Sequence, residues 1–275
     1  MSKFRYIFAN CMKGQRKFGV ENPEKHIRKF LQKHLNHNES LDCVTIPSKA
    51  FQYIKGYSQI RHQVHNSIQN GKIPFTVGGD HSVAIGSITG TLEHYGDTLS
   101  TVWVDAHADI NTLKSSPSGN VHGMAVAFLT GLETNPLTHS TNTLPFSNLT
   151  YFGLRDIDEY EKHVLQKTSI NSLSSDELMS NSLFDIHFPC VPTKNIHLSV
   201  DVDVLDPGLM SSTGTPVPGG INLEKLEEII NWTGENGNIV AIDLVEFNPK
   251  CEKHENKLKS DLETYDKVVD ILHNI

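Results

Sequence analysis

The feature that most constrains this chain is the segment 102–111, in which a run of apolar residues ends in Asp105, His107 and Asp109. Residues spaced two apart in a strand point to the same face, so these three side chains are expected to reach one cavity. Carboxylates crowded together repel each other unless a cation lies between them. A second segment, 199–207, repeats the pattern with three further aspartates. Together the two segments predict a site for more than one divalent ion.

Composition limits the class of protein. The chain has 275 residues, 37% of them hydrophobic and 20% charged, which is enough apolar material for a packed core. Because the formal net charge is −8 and no basic block is present, nucleic acid is not expected as a partner. No stretch approaches the ~20 apolar residues of a membrane span. The four cysteines form no CxxC pair, which fits a reducing compartment, so we predict a cytoplasmic protein.

Short apolar runs alternate with amphipathic ones, which is typical of an α/β fold with a parallel sheet. We predict strands at residues 6–9, 73–77, 101–104, 149–152, 196–200 and 239–244. We predict helices at residues 22–35, 57–69, 82–94, 222–232 and 258–273, and a surface loop at 130–147. Since the chain shows no internal repeat and no low-complexity linker, residues 1–275 are predicted to form a single domain.

Four polar clusters directly follow apolar strands, at residues 78–82, 105–111, 201–206 and 243–249. A lone Asp or His in such a place is commonly a turn or helix cap. Ligands of open parallel sheets bind beyond the carboxyl ends of the strands, however, and four clusters at that edge indicate an active site. The two glycines of the first cluster would let the backbone turn sharply and approach an ion closely.

The types of ligand indicate the metal. Two imidazoles and four carboxylates without a cysteine favour Mn²⁺ over a thiolate zinc site, while Fe, Co and Zn stay open. Two divalent ions would offset four carboxylates, and with Glu246 the pocket would attract a cation such as a guanidinium or an amine. Metal pairs ~3.5–4 Å apart generate hydroxide near neutral pH. The loop 115–124 adds small hydroxyls, an amide and His122, which include donors suited to a carboxylate.

Three motifs in this order resemble the signatures of the ureohydrolase (arginase/agmatinase) family. They are Gly78-Gly79-Asp80-His81-Ser82, Asp105-Ala106-His107-Ala108-Asp109, and residues 199–207 followed by 214–220. The resemblance extends over residues 14–249. Residues 118–123 resemble the loop that grips the α-carboxylate of arginine in arginases, and residues 153–158 with Glu161 resemble the segment that receives its α-amino group. An arginase is therefore favoured over an agmatinase, whose substrate lacks the carboxylate.

The resemblance implies a three-layer α/β/α fold with a mainly parallel central sheet, as in arginases and deacetylases, and two Mn²⁺ per subunit. One ion would be held by His81, Asp105, Asp109 and Asp201. The other would be held by His107, Asp105, Asp201 and Asp203. In this arrangement Asp105 and Asp201 bridge the two ions. A homo-oligomer, either a trimer or a hexamer, is also implied.

The activity implied by the resemblance is hydrolysis of L-arginine to L-ornithine and urea by a hydroxide that bridges the metals. Asp109 would hydrogen-bond this hydroxide, Glu246 would anchor the guanidinium, and His122 would shuttle protons. Substrate contacts are implied for Asn111, Ser116, Ser118, Asn120, Asp158, Glu161, Thr215 and Glu246.

Three alternatives remain open. A sister hydrolase of agmatine, guanidinobutyrate or formimidoylglutamate would carry the same metal motifs. A catalytically silent relative could bind arginine or serve as a subunit, although the presence of all six inferred ligands and His122 disfavours it. A zinc deacetylase of related fold is disfavoured because its site needs fewer carboxylates.

Overall fold

The computed structural model describes residues 3–15, 19–20, 24, 27–30, 42–52, 55–134, 136–137, 142–185, 188–189 and 191–275. These residues form an eight-stranded sheet in which every strand pair is parallel. The strands are β1 (Phe4–Ala9), β2 (Cys43–Ile46), β3 (Ile73–Gly78), β4 (Leu99–Val104), β5 (Leu149–Leu154), β6 (Asn171–Ser174), β7 (Asn195–Asp201) and β8 (Asn238–Val245). The prediction of an α/β fold with a parallel sheet is confirmed.

Helices pack on both faces of this sheet. Within the described residues they are α1 (Lys55–Gln69), α2 (Ala84–Tyr95), α3 (Ala125–Thr130), α4 (Glu159–Lys167), α5 (Ser175–Ser180), α6 (Leu223–Asn236) and α7 (Glu255–His273), and residues 24 and 27–30 are helical as well. None of the helices in this part of the chain is long and apolar enough to cross a membrane.

The two faces of the sheet bury two separate hydrophobic clusters. In β1, Phe4, Tyr6 and Phe8 belong to one cluster, while Ile7 and Ala9 belong to the other. This alternation follows from the pleat, which sends successive side chains to opposite faces. Helices α1 to α4 contribute to the cluster of Ile7, and α5 to α7 contribute to the cluster of Phe4. The three predicted layers are therefore present.

The sequence predicted the central elements best. All six predicted strands are present, and each is longer than predicted by one or two residues in total. Strands β2 and β6 were missed because each has only four residues; β6, Asn-Ser-Leu-Ser, is also polar and forms no apolar run. Four predicted helices correspond to α1, α2, α6 and α7, whereas the short helices α3 to α5 were missed. The helix predicted at 22–35 lies mostly outside the described residues.

The strand order brings the four polar clusters together. Across the sheet the order is β2-β1-β3-β8-β7-β4-β5-β6. The clusters follow β3, β8, β7 and β4, which are four consecutive neighbours at the centre of the sheet. Because the strands are parallel, all four clusters lie at one edge, although they are far apart in the sequence.

Candidate active site

The segment after β4 converges on the site through a loop. The argument from strand alternation is wrong here, because β4 ends at Val104 and residues 105–109 are irregular. Asp109 adopts a φ of 50°, in the left-handed region that residues other than glycine rarely occupy. Its carbonyl accepts the N–H of Val126 at 2.9 Å, at the start of α3. The turn of the backbone, not the pleat, directs Asp105, His107 and Asp109.

A first group of metal-capable side chains surrounds His81. The Nδ1 atom of His81 lies 2.9 Å from Asp105 Oδ2, 3.3 Å from Asp201 Oδ2 and 3.4 Å from Asp109 Oδ2. All four side chains are buried. Among the described residues, Nδ1 has no hydrogen-bond partner. An unpaired imidazole nitrogen facing three carboxylates fits a metal ion, because the ion would satisfy all of these groups.

A second group surrounds His107. Its Nδ1 lies 3.2 Å from Asp203 Oδ2 and 3.4 Å from Asp105 Oδ1. Asp105 therefore presents Oδ2 to one imidazole and Oδ1 to the other, as a bridging ligand would. The opposite ring atom of His107, Nε2, lies 3.5 Å from Asp156 Oδ2. An outer carboxylate of this kind orients a ligating imidazole.

The second bridging residue named above, Asp201, has a different environment. Its Oδ1 accepts the N–H of Asp203 at 2.8 Å, while Oδ2 faces His81. This contact caps the short turn Val202–Val204, which carries Asp203 beside His107. The third aspartate of the segment, Asp206, instead accepts backbone N–H groups of three glycines and anchors the following loop.

The site has more buried negative charge than its own side chains can neutralise. Burial, and then the charge of Asp105, raise the pKa of Asp109 well above its ordinary value. Burial, followed by the charges of Asp203 and Asp105, raises the pKa of Asp201 in the same way. Carboxylates with raised pKa values need either protons or cations. The histidines and the buried aspartates thus fit one or more divalent ions, which would replace the protons.

A cavity of about 310 Å³ opens above these groups. It is lined by His107, Asp109, Asn111, Ser116, Pro117, Ser118, His122, Gly123, Asp156, Asp158, Glu161, Asp201, Asp203 and Thr215. The lining contains several carboxylates and no lysine or arginine. Its charge therefore favours a cationic ligand.

Glu246 and His122 form a contact beside the cavity. Glu246 is 1% exposed, has a φ of 66° and is not among the residues that line the cavity. Its Oε1 lies 2.9 Å from His122 Nδ1 and accepts the N–H of His81 at 3.0 Å. Thr215, which also lines the cavity, donates its hydroxyl to Asp203 Oδ2 at 2.9 Å.

Three of the predicted substrate residues are bound to one another at the start of α4. Asn111 Nδ2 donates to Asp158 Oδ2 at 2.7 Å. Asp158 caps the helix by accepting the N–H of Glu161, and Glu161 accepts the N–H of Asp158 in return. The other oxygen of Glu161 accepts the N–H of Ile110 at 3.3 Å. This capping box ties the metal-bearing loop to α4.

The loop predicted to grip a carboxylate lies at the rim of the cavity. Ser116 and Ser118 line it, with their hydroxyl oxygens 3.5 Å apart. Asn120 is not among the lining residues, and its backbone N–H donates to Ser118 Oγ at 3.2 Å. The structure thus brings two of these three residues to the cavity.

Two residues at the site were missed by the sequence argument. Gln15 Nε2 donates to Glu246 Oε2 at 2.5 Å. Trp103 stacks on the ring of His81 with centroids 3.9 Å apart, and its Nε1 donates to Asp105 Oδ2 at 3.0 Å. The position of Trp103 two residues before Asp105 is a signal that could have found it. Gln15 gives no such signal, because it comes from a distant loop.

The paired glycines were predicted to let the backbone approach an ion closely. In the structure the close approach of Gly79 is to another part of the backbone. A Cβ on Gly79 would lie 1.6 Å from the carbonyl oxygen of Cys11. The N–H of Gly79 donates to the carbonyl of Ala9, and its carbonyl accepts the N–H of Glu246. Gly79 therefore lets the ends of β1, β3 and β8 meet beneath the site.

Comparison with known proteins agrees with this geometry. The sequence profile of the arginase family matches residues 13–262. The chain belongs to the arginase family. It is 41% identical over 208 residues to an arginase of Eremothecium gossypii, with 70% of this chain and 52% of that protein covered. A hepatic arginase of Aquarana catesbeiana is 35% identical, with 93% and 88% covered. The chain spans about half to two thirds of the length of the fungal arginases it matches.

Solved structures of arginase-family proteins have the same fold. An arginase of Entamoeba histolytica in complex with L-ornithine superposes with a TM-score of 0.85 and 27% identity, over 100% of this chain and 99% of that one. An arginase of Bacillus subtilis gives a TM-score of 0.83 and 29% identity, over 97% and 98%.

Proposed function

We propose that this chain hydrolyses L-arginine to L-ornithine and urea with the help of two manganese ions. The observation that carries the proposal is the pair of histidine–aspartate groups that share Asp105. Relatives named as arginases support it, as does the family member that was solved with L-ornithine.

The residues proposed to hold the ions are the six predicted from the sequence. One group would comprise His81, Asp105, Asp109 and Asp201, and the other His107, Asp105, Asp201 and Asp203. The oxygen-rich donor set with two imidazoles supports manganese over a thiolate-type zinc site. When bound, such ions would supply an activated water and stabilise the charge that develops during hydrolysis. Asp109 lines the cavity, where it could hold a proton of that water.

Glu246 is proposed to bind the substrate guanidinium. It is a buried carboxylate whose two oxygens are held by His81, His122 and Gln15. A carboxylate fixed in this way can face the planar N–H groups of a guanidinium without losing side-chain freedom on binding. The acidic lining of the cavity would attract the same cation.

His122 is proposed to move the proton that the leaving amine needs. An ionised Glu246 can only accept hydrogen bonds. His122 Nδ1 faces Glu246 Oε1, so Nδ1 must carry a proton and donate it to Glu246. That leaves Nε2 as the ring atom free to exchange a proton on the side of the cavity, which His122 lines.

Selectivity for arginine over agmatine would come from the far end of the cavity. Ser116 and Ser118 offer hydroxyl donors for an α-carboxylate, and Asp158 offers an acceptor for an α-amine. Agmatine cannot bond these hydroxyls, which would keep water as their partner at the rim, so arginine would gain hydrogen bonds that agmatine lacks. A homo-oligomer is proposed on the family resemblance alone, and a cytoplasmic location on the scattered cysteines without a CxxC pair.

The test is release of urea from arginine and from agmatine, measured side by side on manganese-loaded protein. We expect release from arginine and a strong preference for it over agmatine. The paired variant Ser116→Ala/Ser118→Ala should reduce activity with arginine more than activity with agmatine. Preference for agmatine would replace the proposal with a sister hydrolase. Binding of arginine without urea release by metal-loaded protein would identify a silent relative.

A further inference from the structure

We propose that Ser199 and Asp243 form a buried relay that holds the His81 ring with Nδ1 facing the candidate metal centre. This inference rests on the proposed metal binding of the chain. It concerns residues on β7 and β8 that lie beneath the cavity and outside its lining. Each of them is 0% exposed, so none can touch a substrate.

The relay begins at the ring atom of His81 that faces away from the carboxylates. This atom, Nε2, lies 2.9 Å from Ser199 Oγ. A neutral imidazole carries one N–H, so a ring that uses Nδ1 as a metal ligand must carry its proton on Nε2. Nε2 then donates to Ser199, which fixes both the tautomer and the rotation of the ring.

The second step leads from Ser199 to Asp243. A hydroxyl that accepts from His81 can donate its own proton elsewhere, and Ser199 Oγ donates to Asp243 Oδ2 at 3.4 Å. The two residues are direct neighbours in the register of β7 and β8. Ser87 Oγ on α2 donates to the same oxygen at 2.6 Å. These contacts orient Asp243 so that it can hold the Ser199 hydroxyl.

His197 lies beside Asp243. Its Nε2 is 3.0 Å from Asp243 Oδ2 but has no hydrogen-bond partner among the described residues, and its Nδ1 lies 2.9 Å from Thr91 Oγ1 on α2. His197, Ser199 and Asp201 alternate along β7 and therefore share the face that carries the metal ligands. The relay thus connects α2, β8 and β7 to one ligand of the candidate metal centre.

The cost of burying these groups argues for a role beyond packing. A buried carboxylate and imidazole must give up water, and apolar residues of similar size would commonly be as stable or more stable. The four strands around them are otherwise rich in apolar side chains that form the core. A polar relay at this place has a direct benefit for His81, because an oriented ligand loses less freedom when it binds a metal.

The test is a double-mutant cycle read out as manganese affinity, measured by competition with a chelating indicator. Ser199→Ala and Asp243→Asn are each expected to weaken manganese binding about 10- to 100-fold, as loss of an outer partner of a ligating histidine does. If Asp243 acts through Ser199, the double variant binds manganese within about twofold of Ser199→Ala. Thermal unfolding of each metal-free variant shows that it is folded.

A matched control is Ser100→Ala. Ser100 is also a buried strand serine with a hydroxyl partner, Thr193, but it lies near the opposite end of the neighbouring strand β4. Its loss should leave manganese affinity unchanged. If Asp243→Asn does not fold, Ser87→Ala takes its place in the cycle, because it releases Asp243 without removing a charge.

Two results would overturn the relay. One is manganese affinity unchanged in the Ser199 and Asp243 variants. The other is a double variant whose losses multiply, because Asp243 would then act independently of Ser199. Failure of the wild-type chain to bind manganese at all is a separate outcome, since it refutes the proposed function together with the relay.

Discussion

Asp105 presents one carboxylate oxygen to each imidazole of the candidate metal centre. Trp103 and the backbone N–H of His107 hold that carboxylate in place. Asp203, in contrast, contacts His107 and not His81. At the scale of single residues, Asp105 therefore links the two groups. Its substitution should remove more bound manganese than substitution of Asp203.

A comparison of Asp105→Asn with Asp203→Asn tests this difference. The amide at position 105 removes a ligand from both groups, so manganese bound per chain should fall toward zero. The amide at position 203 leaves the His81 group intact, so about one ion should remain. Metal analysis after dialysis measures both. Equal loss in the two variants would show that Asp105 does not link the two groups.

His122→Ala should slow turnover without loss of metal. Proton transfer by a positioned side chain contributes ~10²–10⁴-fold, and His122 lies outside both metal groups. We expect kcat to fall by a factor in that range while bound manganese stays the same. His254→Ala, at an exposed histidine that does not line the cavity, is the control. Loss of manganese from His122→Ala would contradict the assigned role.

Gln15→Ala should weaken the action of Glu246 on the substrate. A hydrogen bond to a charged group is worth roughly 1.5–3 kcal/mol, so kcat/KM for arginine should fall about 10- to 100-fold. Gln63→Ala, on α1 and away from the cavity lining, is the matched control. An unchanged kcat/KM would mean that Gln15 serves only the packing of its loop.

At the scale of elements, the start of α4 combines a helix cap with a predicted binding residue. Glu161 accepts two backbone N–H groups, one from its own cap and one from the metal-bearing loop. Burial, and with it the charge of Asp158, raises the pKa of Glu161 from 4.5 to about 7, although the N–H groups oppose this. In the folded protein Glu161 binds its proton more tightly than in the unfolded chain. Its contribution to stability is therefore complete below the pKa of the unfolded chain and is lost as the pH rises to the pKa of the folded protein.

Glu161→Gln should therefore change the pH dependence of stability. Between about pH 4.5 and 7 the wild-type protein should lose up to about 3 kcal/mol relative to the variant, since each pKa unit corresponds to 1.36 kcal/mol. Denaturant unfolding of the metal-free proteins at a series of pH values measures the difference. A difference that stays constant over this range would contradict the raised pKa.

Some strands and helices could be predicted from the sequence and others could not. The central strands are buried on both faces, so they appear as apolar runs that periodicity can detect. Strand β6 and helix α5 are short and mostly polar, and the apolar stretch of β2 has only four residues, so periodicity does not detect them. The capping pair of Ser174 and Glu177 before α5 is a local signal that would have found that helix.

At the scale of the whole molecule, the site depends on strand order. The four polar clusters were predictable because each follows an apolar strand and matches a family motif. Their mutual distances were not predictable, because β8 lies between β3 and β7, and β7 lies beside β4. Contacts such as those of Gln15 with Glu246 and of Ser199 with Asp243 depend on that order, and residue spacing carries no information on it.

The whole fold also places mutually repelling carboxylates at the centre of its sheet edge. Four aspartates at most 7% exposed meet there around two imidazoles. Without a cation, this repulsion opposes folding, and protons can relieve it only in part. Binding of cations to the folded state alone should therefore stabilise the protein by mass action.

The most direct test is the free energy of unfolding measured by denaturant with and without manganese at neutral pH. Our account predicts a rise of about 2.7 kcal/mol for each site when free manganese is 100 times its dissociation constant. The rise should disappear in Asp105→Asn. A free energy of unfolding that does not change with manganese would contradict the claim that these side chains form a metal centre.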